Sequence, residues 1–173
     1  MRKIYIVLTY TGTILSKLVK MYTKREFSHV SIALDEDLKE MYSFGRINPY
    51  NPFKAGFVHE GINRGTFKRF KKTKTRIYSL QVKDEQFDNV VKVINDMKNN
   101  KYEYRFNILG LIGVVVHFRI KREKHFYCAE FVKYVLEKSN IVYNLPELIK
   151  PEDFKDIDNL NVIYTGILKE YGR

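Results

Sequence analysis

Apolar positions change period several times along the chain, and each change marks an element. KIYIVLTY at 3–10 is a short run of β-branched and aromatic residues closed by Thr11-Gly12-Thr13, which predicts a strand and a turn. Ile14, Leu15, Leu18, Val19 and Tyr22 then recur at helical spacing. HVSIAL at 29–34 alternates, with Val30, Ile32 and Leu34 on one face and His29, Ser31 and Ala33 on the other. Asp35-Glu36-Asp37 turns the chain, and EMYSFG at 40–45 returns as the partner strand. INPYNPF at 47–53 carries two prolines and reads as a loop. Further strands are expected at GFVHE (56–60) and RIYSLQV (76–82). A helix runs from about Asp84 on the stripe Phe87, Val90, Val91, Ile94 and Met97 and stops at Asn99-Asn100. A second, from Cys128 to about Ser139, carries Cys128, Phe131, Val132, Val135 and Leu136 at i, i+3, i+4, i+7 and i+8. KPEDF at 150–154 starts a short turn or helix with Pro151 near its first position, and NVIYTGIL at 161–168 can close the sheet. This order predicts an α+β domain with a largely antiparallel sheet.

At 173 residues the chain suits one domain, 1–173, with one core. Its single cysteine excludes an internal disulfide framework and a CxxC-type zinc knuckle. The N-terminus is basic and then apolar, but Tyr10, Thr11 and Gly12 break the run and Lys17 and Lys20 follow, so it does not read as a secretory signal and a cytoplasmic location is expected. The longest apolar stretch, 106–120, is shorter than the ~20 residues of a membrane span and includes His117 and Arg119; it reads as core, or as the lining of an acyl-tail groove. The net charge of +11 would draw phosphate, anionic lipid or acidic substrates, although a solvated lysine surface explains it equally. The basic runs at 68–76 and 119–124 lack the interleaved aromatic platforms of a single-strand nucleic-acid binder, so nucleic acid is an unlikely partner, whereas contact with an anionic membrane surface stays open. No phosphate loop or metal-ligand spacing is present, and neither cofactor nor metal is expected.

Cys128 is the point at which chemistry enters. It faces inward in the first turn of its helix, where a buried small hydrophobe is the ordinary reading. The same position, however, offers unsatisfied N–H groups and the positive end of a helix dipole, which favour a thiolate. A nucleophilic thiolate needs an imidazole, and four histidines are available. His29 begins a strand and shares a face with the small residues Ser31 and Ala33, over which a helix could pass closely. His59 also lies on an expected strand, while His117 and His125 lie near Cys128 in sequence.

FSHVSIAL, then EMYSFGRINPYNPF, and much later FYCAEFVKYVL together resemble the circularly permuted papain-like enzymes: the NlpC-related amidases of the YiiX-like group, distant relatives of the lecithin:retinol acyltransferases. In that permuted group the histidine strand precedes the cysteine helix, and His29 precedes Cys128 here. The resemblance implies a permuted papain-like fold, with a mainly antiparallel sheet packed against the helix that carries the cysteine. It implies Cys128 as nucleophile, His29 as base, and a third, orienting polar residue on the strand after the histidine strand. Glu40, Tyr42 and Ser43 are the candidates. Glu40 has the chemistry best suited to holding an imidazolium, and Ser43 would fit a longer hairpin loop. Glu130 falls on a different helix face and reads as solvent-facing or structural. The implied activity is a cysteine hydrolase or acyltransferase acting on an amide or ester of a peptide, N-acyl or lipid substrate through an acyl-thioester. The alternative is a papain-like module without turnover that binds an anionic partner. On either reading the Cys128 helix is expected to lie over Ser31 and Ala33, with its thiol at the His29 imidazole.

Overall fold

The computed structural model describes residues 1–110, 113 and 122–172. In chain order its strands are β1 (Arg2–Tyr10), β2 (His29–Ala33), β3 (Met41–Asn48), β4 (Asn51–Glu60), β5 (Lys74–Val82), β6 (Arg105–Phe106), β7 (His125–Phe126) and β8 (Leu160–Ile167). Its helices are α1 (Ile14–Thr23), α2 (Gly65–Arg69), α3 (Asp84–Asn99) and α4 (Cys128–Lys138), with 3-10 turns at Pro151–Asp156 and Leu168–Glu170. Six strands form one antiparallel sheet in the order β4-β3-β2-β1-β5-β8, and β6 and β7 make a small parallel pair. The fold is therefore α+β, as the alternation of period predicts.

The unbroken apolar run of β1 has a simple cause: the strand is central and covered on both faces. Ile4, Ile6 and Leu8 join a large core with Val30, Ile32, Phe44, Tyr78 and Leu80 from neighbouring strands, roofed by α3 and α4. Tyr5 and Val7 join a smaller core on the opposite face with Ala33, Met41, Ile77, Phe67 of α2 and Leu168. On α4 the residues Phe131, Val132, Val135 and Leu136 are fully buried, and side chains of this kind stabilise by roughly 1.5–3 kcal/mol each on burial.

Two expectations need correction. The 47–53 segment is not an open loop. β3 continues to Asn48, β4 starts at Asn51, and the two residues pair across a tight turn at Pro49-Tyr50. β4 is an edge strand of the sheet, where a proline's missing N–H need not interrupt a ladder. The Cys128 helix, in turn, does not lie over Ser31 and Ala33. Its stripe packs with Val30 and Ile32, while Ala33 belongs to the opposite core. Large apolar residues, rather than small ones, receive the helix because its own stripe is bulky and needs apolar area to cover.

Of the apolar stretch 106–120, positions 111, 112 and 114–120 lie outside the described residues, and with them His117 and the proposed tail groove. Arg119 and the start of the second basic run do too. Among the described residues, no helix is long and apolar enough to cross a membrane.

Candidate active site

β2 and β3 pair through Ile32↔Tyr42 and Ala33↔Met41 and then part, so the His29 end of β2 faces an opening in the sheet. β3 continues beside β4 through Ser43↔Val58 and Gly45↔Gly56. Cys128, at the start of α4, and His29 line a cavity of about 90 Å³ at this opening, together with Glu60, Gly45, Arg46 and Phe67. The two residues thus meet at the parted strand ends, although the helix lies on the Val30 and Ile32 face.

Each functional side chain is held from more than one direction. Phe27, two residues before His29, donates its N–H to Glu152 Oε1 of the PEDF turn at 2.8 Å, and Ser28 N–H is bound by Thr9 O at 3.1 Å. Tyr127, immediately before Cys128, donates its hydroxyl to Ile149 O at 2.9 Å. Its own N–H is accepted by Glu130 Oε2 at 3.1 Å, and the same oxygen accepts from Asn107 Nδ2 at 3.1 Å. Glu130 is therefore a structural residue that fixes the first turn of α4, in line with its helix face.

His29 Nε2 lies 3.1 Å from Glu60 Oε1 and 3.3 Å from Oε2. Ser31 donates its hydroxyl to Glu60 Oε2 at 2.5 Å, and its oxygen is 3.4 Å from His29 Nε2. Both partners are withdrawn from water, the imidazole side chain being 20% exposed and the carboxylate 8%. Burial alone would raise the Glu60 carboxyl, but the His29 charge and hydrogen bond, helped by the Ser31 and Ser43 hydroxyls, hold it below the usual carboxylate range. Burial would likewise lower His29. The Glu60 charge, joined by hydrogen-bonding and charge contributions from Cys128 and by the Glu60 hydrogen bond, instead pushes it up to about 10. At neutral pH the pair is imidazolium and carboxylate. Nε2–H donates to Glu60, which leaves Nδ1, protonated in the imidazolium, as the ring nitrogen that exchanges a proton with the sulfur.

Gly45 completes the cradle. A Cβ at this position would come within 3.2 Å of His29 Cε1, 3.3 Å of Ser43 Oγ and 3.5 Å of Glu60 Oε1, so a side chain here would crowd the ring and its partners.

Of the expected residues, Cys128 and His29 come together and Glu40 does not join them. Glu40 accepts the Tyr42 hydroxyl and lies 3.7 Å from His59 Nε2. The reason is parity. With Ile32 opposite Tyr42, odd-numbered residues of β3 share the His29 and Ser31 face, and even-numbered ones point the other way. Ser43 is on the correct face and contributes to the Glu60 environment; Tyr42 is not, and stacks on His59 at 4.7 Å. The group actually on the imidazole is Glu60, one strand further on and opposite Met41. The signal was present in GFVHE, where alternation places Glu60 on the face away from His59, but its use required the β3–β4 register. His59 and His125 are engaged elsewhere, with Lys39 O and Glu123 O respectively. Among the described residues, no group of three or more His, Cys, Asp and Glu side chains is arranged to hold a metal ion.

No protein-family model matches the chain, and no curated protein matches it in sequence. The functional reading therefore rests on the site itself.

Proposed function

We propose that the chain is a cysteine hydrolase or acyltransferase of permuted papain-like fold, with Cys128 as nucleophile, His29 as its acid–base partner and Glu60 in the orienting role. The observation that carries this reading is the buried His29–Glu60 pair with Cys128 acting on the same ring. An imidazole whose one nitrogen is tied to a carboxylate and whose other is turned toward a thiol is the arrangement that activates a cysteine.

In this mechanism His29 holds on Nδ1 the proton that the thiol gives up, and the Cys128 sulfur attacks the carbonyl carbon of an amide or ester. The negative charge that grows on the carbonyl oxygen is met by backbone N–H groups in the first turn of α4, which have no partners within the helix. His29 returns the proton to the departing amine or alcohol, leaving an acyl-thioester. Water, or another acceptor deprotonated by His29, then releases the acyl group and restores the thiol. Glu60 keeps Nε2 protonated throughout, so that Nδ1 remains the nitrogen exchanging the proton.

A cavity of about 90 Å³ is small beside the ~300–1,000 Å³ that encloses a whole drug-sized ligand, so it suits the reacting carbonyl and one attached group, with the remainder of the substrate outside. The test is to expose the intact chain to panels of peptide amides, N-acyl amides and lipid esters and to look by mass spectrometry for an acyl adduct on Cys128. His29→Ala is expected to slow alkylation of Cys128 by iodoacetamide by about 10²-fold at neutral pH, the usual scale of a positioned acid–base group. Undiminished alkylation in that variant would reduce Cys128 to a packing residue and favour a module that binds without turnover.

A further inference from the structure

Arg46 lines the same cavity as Cys128 and His29 and is half-buried. Its Nη2 donates to Thr13 Oγ1 at 2.8 Å. Among the described residues no carboxylate forms an ion pair with it, although a guanidinium presents five donors in a planar fork that suits a carboxylate or a phosphate. A neighbouring charge, Arg69, has the same sign. Arg69 and Arg46 lie over one ring, with their guanidinium carbons 5.2 and 5.7 Å from the centroid of Phe70. Arg69 is anchored by Pro49 O at 2.7 Å and stacks on Tyr50 at 4.1 Å, again without a carboxylate partner among the described residues.

Withdrawing a cation from water beside a like charge is costly, and burial together with Arg69 lowers the Arg46 pKa from its ordinary value. The His29–Glu60 pair neutralises itself and gives no compensation. An anion is the missing counter-charge, and the place for it is the cavity wall beside the nucleophile.

We propose that Arg46, reinforced by Arg69, seats an anionic group, carboxylate or phosphate, carried by the substrate close to the bond that Cys128 attacks. The inference rests on the reading of Cys128 as nucleophile and adds a substrate class to it: acyl donors with a negative charge a few bonds from the scissile carbonyl. Thr11 and Thr66, which also line the cavity, add hydroxyl groups of the type that complement an oxyanion. The basic run that begins at Lys68 continues the positive field outward from the Phe67 wall and would gather such substrates from solution.

The experiment compares alkylation of Cys128 by iodoacetate and by iodoacetamide at one ionic strength, in the native chain and in Arg46→Gln. Because His29 is common to both proteins, the change in the iodoacetate-to-iodoacetamide rate ratio reads Arg46. The ratio should fall about tenfold in Arg46→Gln, on the scale of one charge-assisted hydrogen bond, and by less in Arg69→Gln. Arg46→Lys, which keeps the charge and loses the fork, should fall between them; with Arg69→Gln it carries the test if Arg46→Gln does not fold. In parallel, inorganic phosphate and succinate are tested for raising the melting temperature of the native chain more than that of Arg46→Gln, a measurement that needs no reaction at Cys128. Stabilisation by phosphate alone would mark a phosphate-bearing substrate, and by succinate alone a carboxylate. An unchanged rate ratio, or equal stabilisation of native and variant chains by both anions, overturns the proposal. A thiol inert to both reagents alongside Arg46-dependent stabilisation would instead leave the anion seat standing and remove the cysteine chemistry.

Discussion

Gly45 gives the His29 ring its room through a single hydrogen atom. A methyl group there would press on His29 Cε1 at 3.2 Å and on Ser43 Oγ at 3.3 Å, so the imidazole or the Ser43 hydroxyl must shift by a few tenths of an ångström. Gly45→Ala is therefore expected to fold with a loss of about 0.5–1.5 kcal/mol, the scale of an off-rotamer side chain, while alkylation of Cys128 slows roughly ten- to hundredfold because the ring no longer meets the sulfur squarely. Denaturant melts and iodoacetamide kinetics on the same sample separate the two effects. Retained kinetics would mean that ring position does not govern the thiol. The contrast between Glu40 and Glu60 has the same local character: two carboxylates lie near histidines, but strand parity decides which one meets the His29 imidazole.

At the scale of elements, the placement of Cys128 depends on how the first turn of α4 is secured. Glu130 binds both the Tyr127 N–H and the Asn107 amide, and Asn107 is fully buried. Glu130→Ala should destabilise the fold by ~1–3 kcal/mol, the cost of withdrawing an acceptor from buried donors, and should also slow thiol alkylation because the helix start loosens. Glu130→Gln keeps an acceptor oxygen at the same reach and should recover most of both losses. If Ala and Gln behave alike in urea melts, the charge rather than the hydrogen bond would be the part that matters. The helix itself was legible from its i, i+3, i+4 stripe, and so was the strand carrying His29. The turn between β3 and β4 was not, since Pro49 and Pro52 argue locally for a loop and only the position of β4 at the sheet edge makes a strand tolerable there. The meeting of Cys128 with His29 depended on β2 and β3 parting, which no local pattern encodes.

For the molecule as a whole, the buried ion pair ties stability to pH. His29 has a folded pKa of about 10 against an ordinary 6.5, so its contribution is fully present below pH 6.5 and is lost as pH rises toward 10. Glu60 is displaced the other way, so its contribution is present above its ordinary 4.5 and is lost as pH falls below that. Stability is expected to be greatest between about pH 4.5 and 6.5 as far as this pair decides it. Urea midpoints taken from pH 6 to 10 should decline in the native chain and decline less in Glu60→Gln, where the imidazole has lost its carboxylate. Parallel slopes in the two proteins would place the alkaline sensitivity elsewhere. At this scale the sequence was read well for the class of fold, because strand and helix periods alternate clearly. It was read less well for the third site residue, because the register across two hairpins is a property of the assembled sheet.

The parting of β2 and β3 reaches beyond the access it gives to the thiol. Two residue pairs join β3 to β2, whereas nine join β1 to β5, so the β3–β4 hairpin is a leaf on a narrow hinge. Glu60 stands opposite Met41, at the hinge of that leaf, and its charge pair with His29 ties leaf and body together where the ladder is shortest. Without that pair the hairpin would be held by two rungs of ladder and by the packing of Tyr42, Phe44 and Met41 in the two cores. The protonation of one histidine is thus tied to the seating of one hairpin.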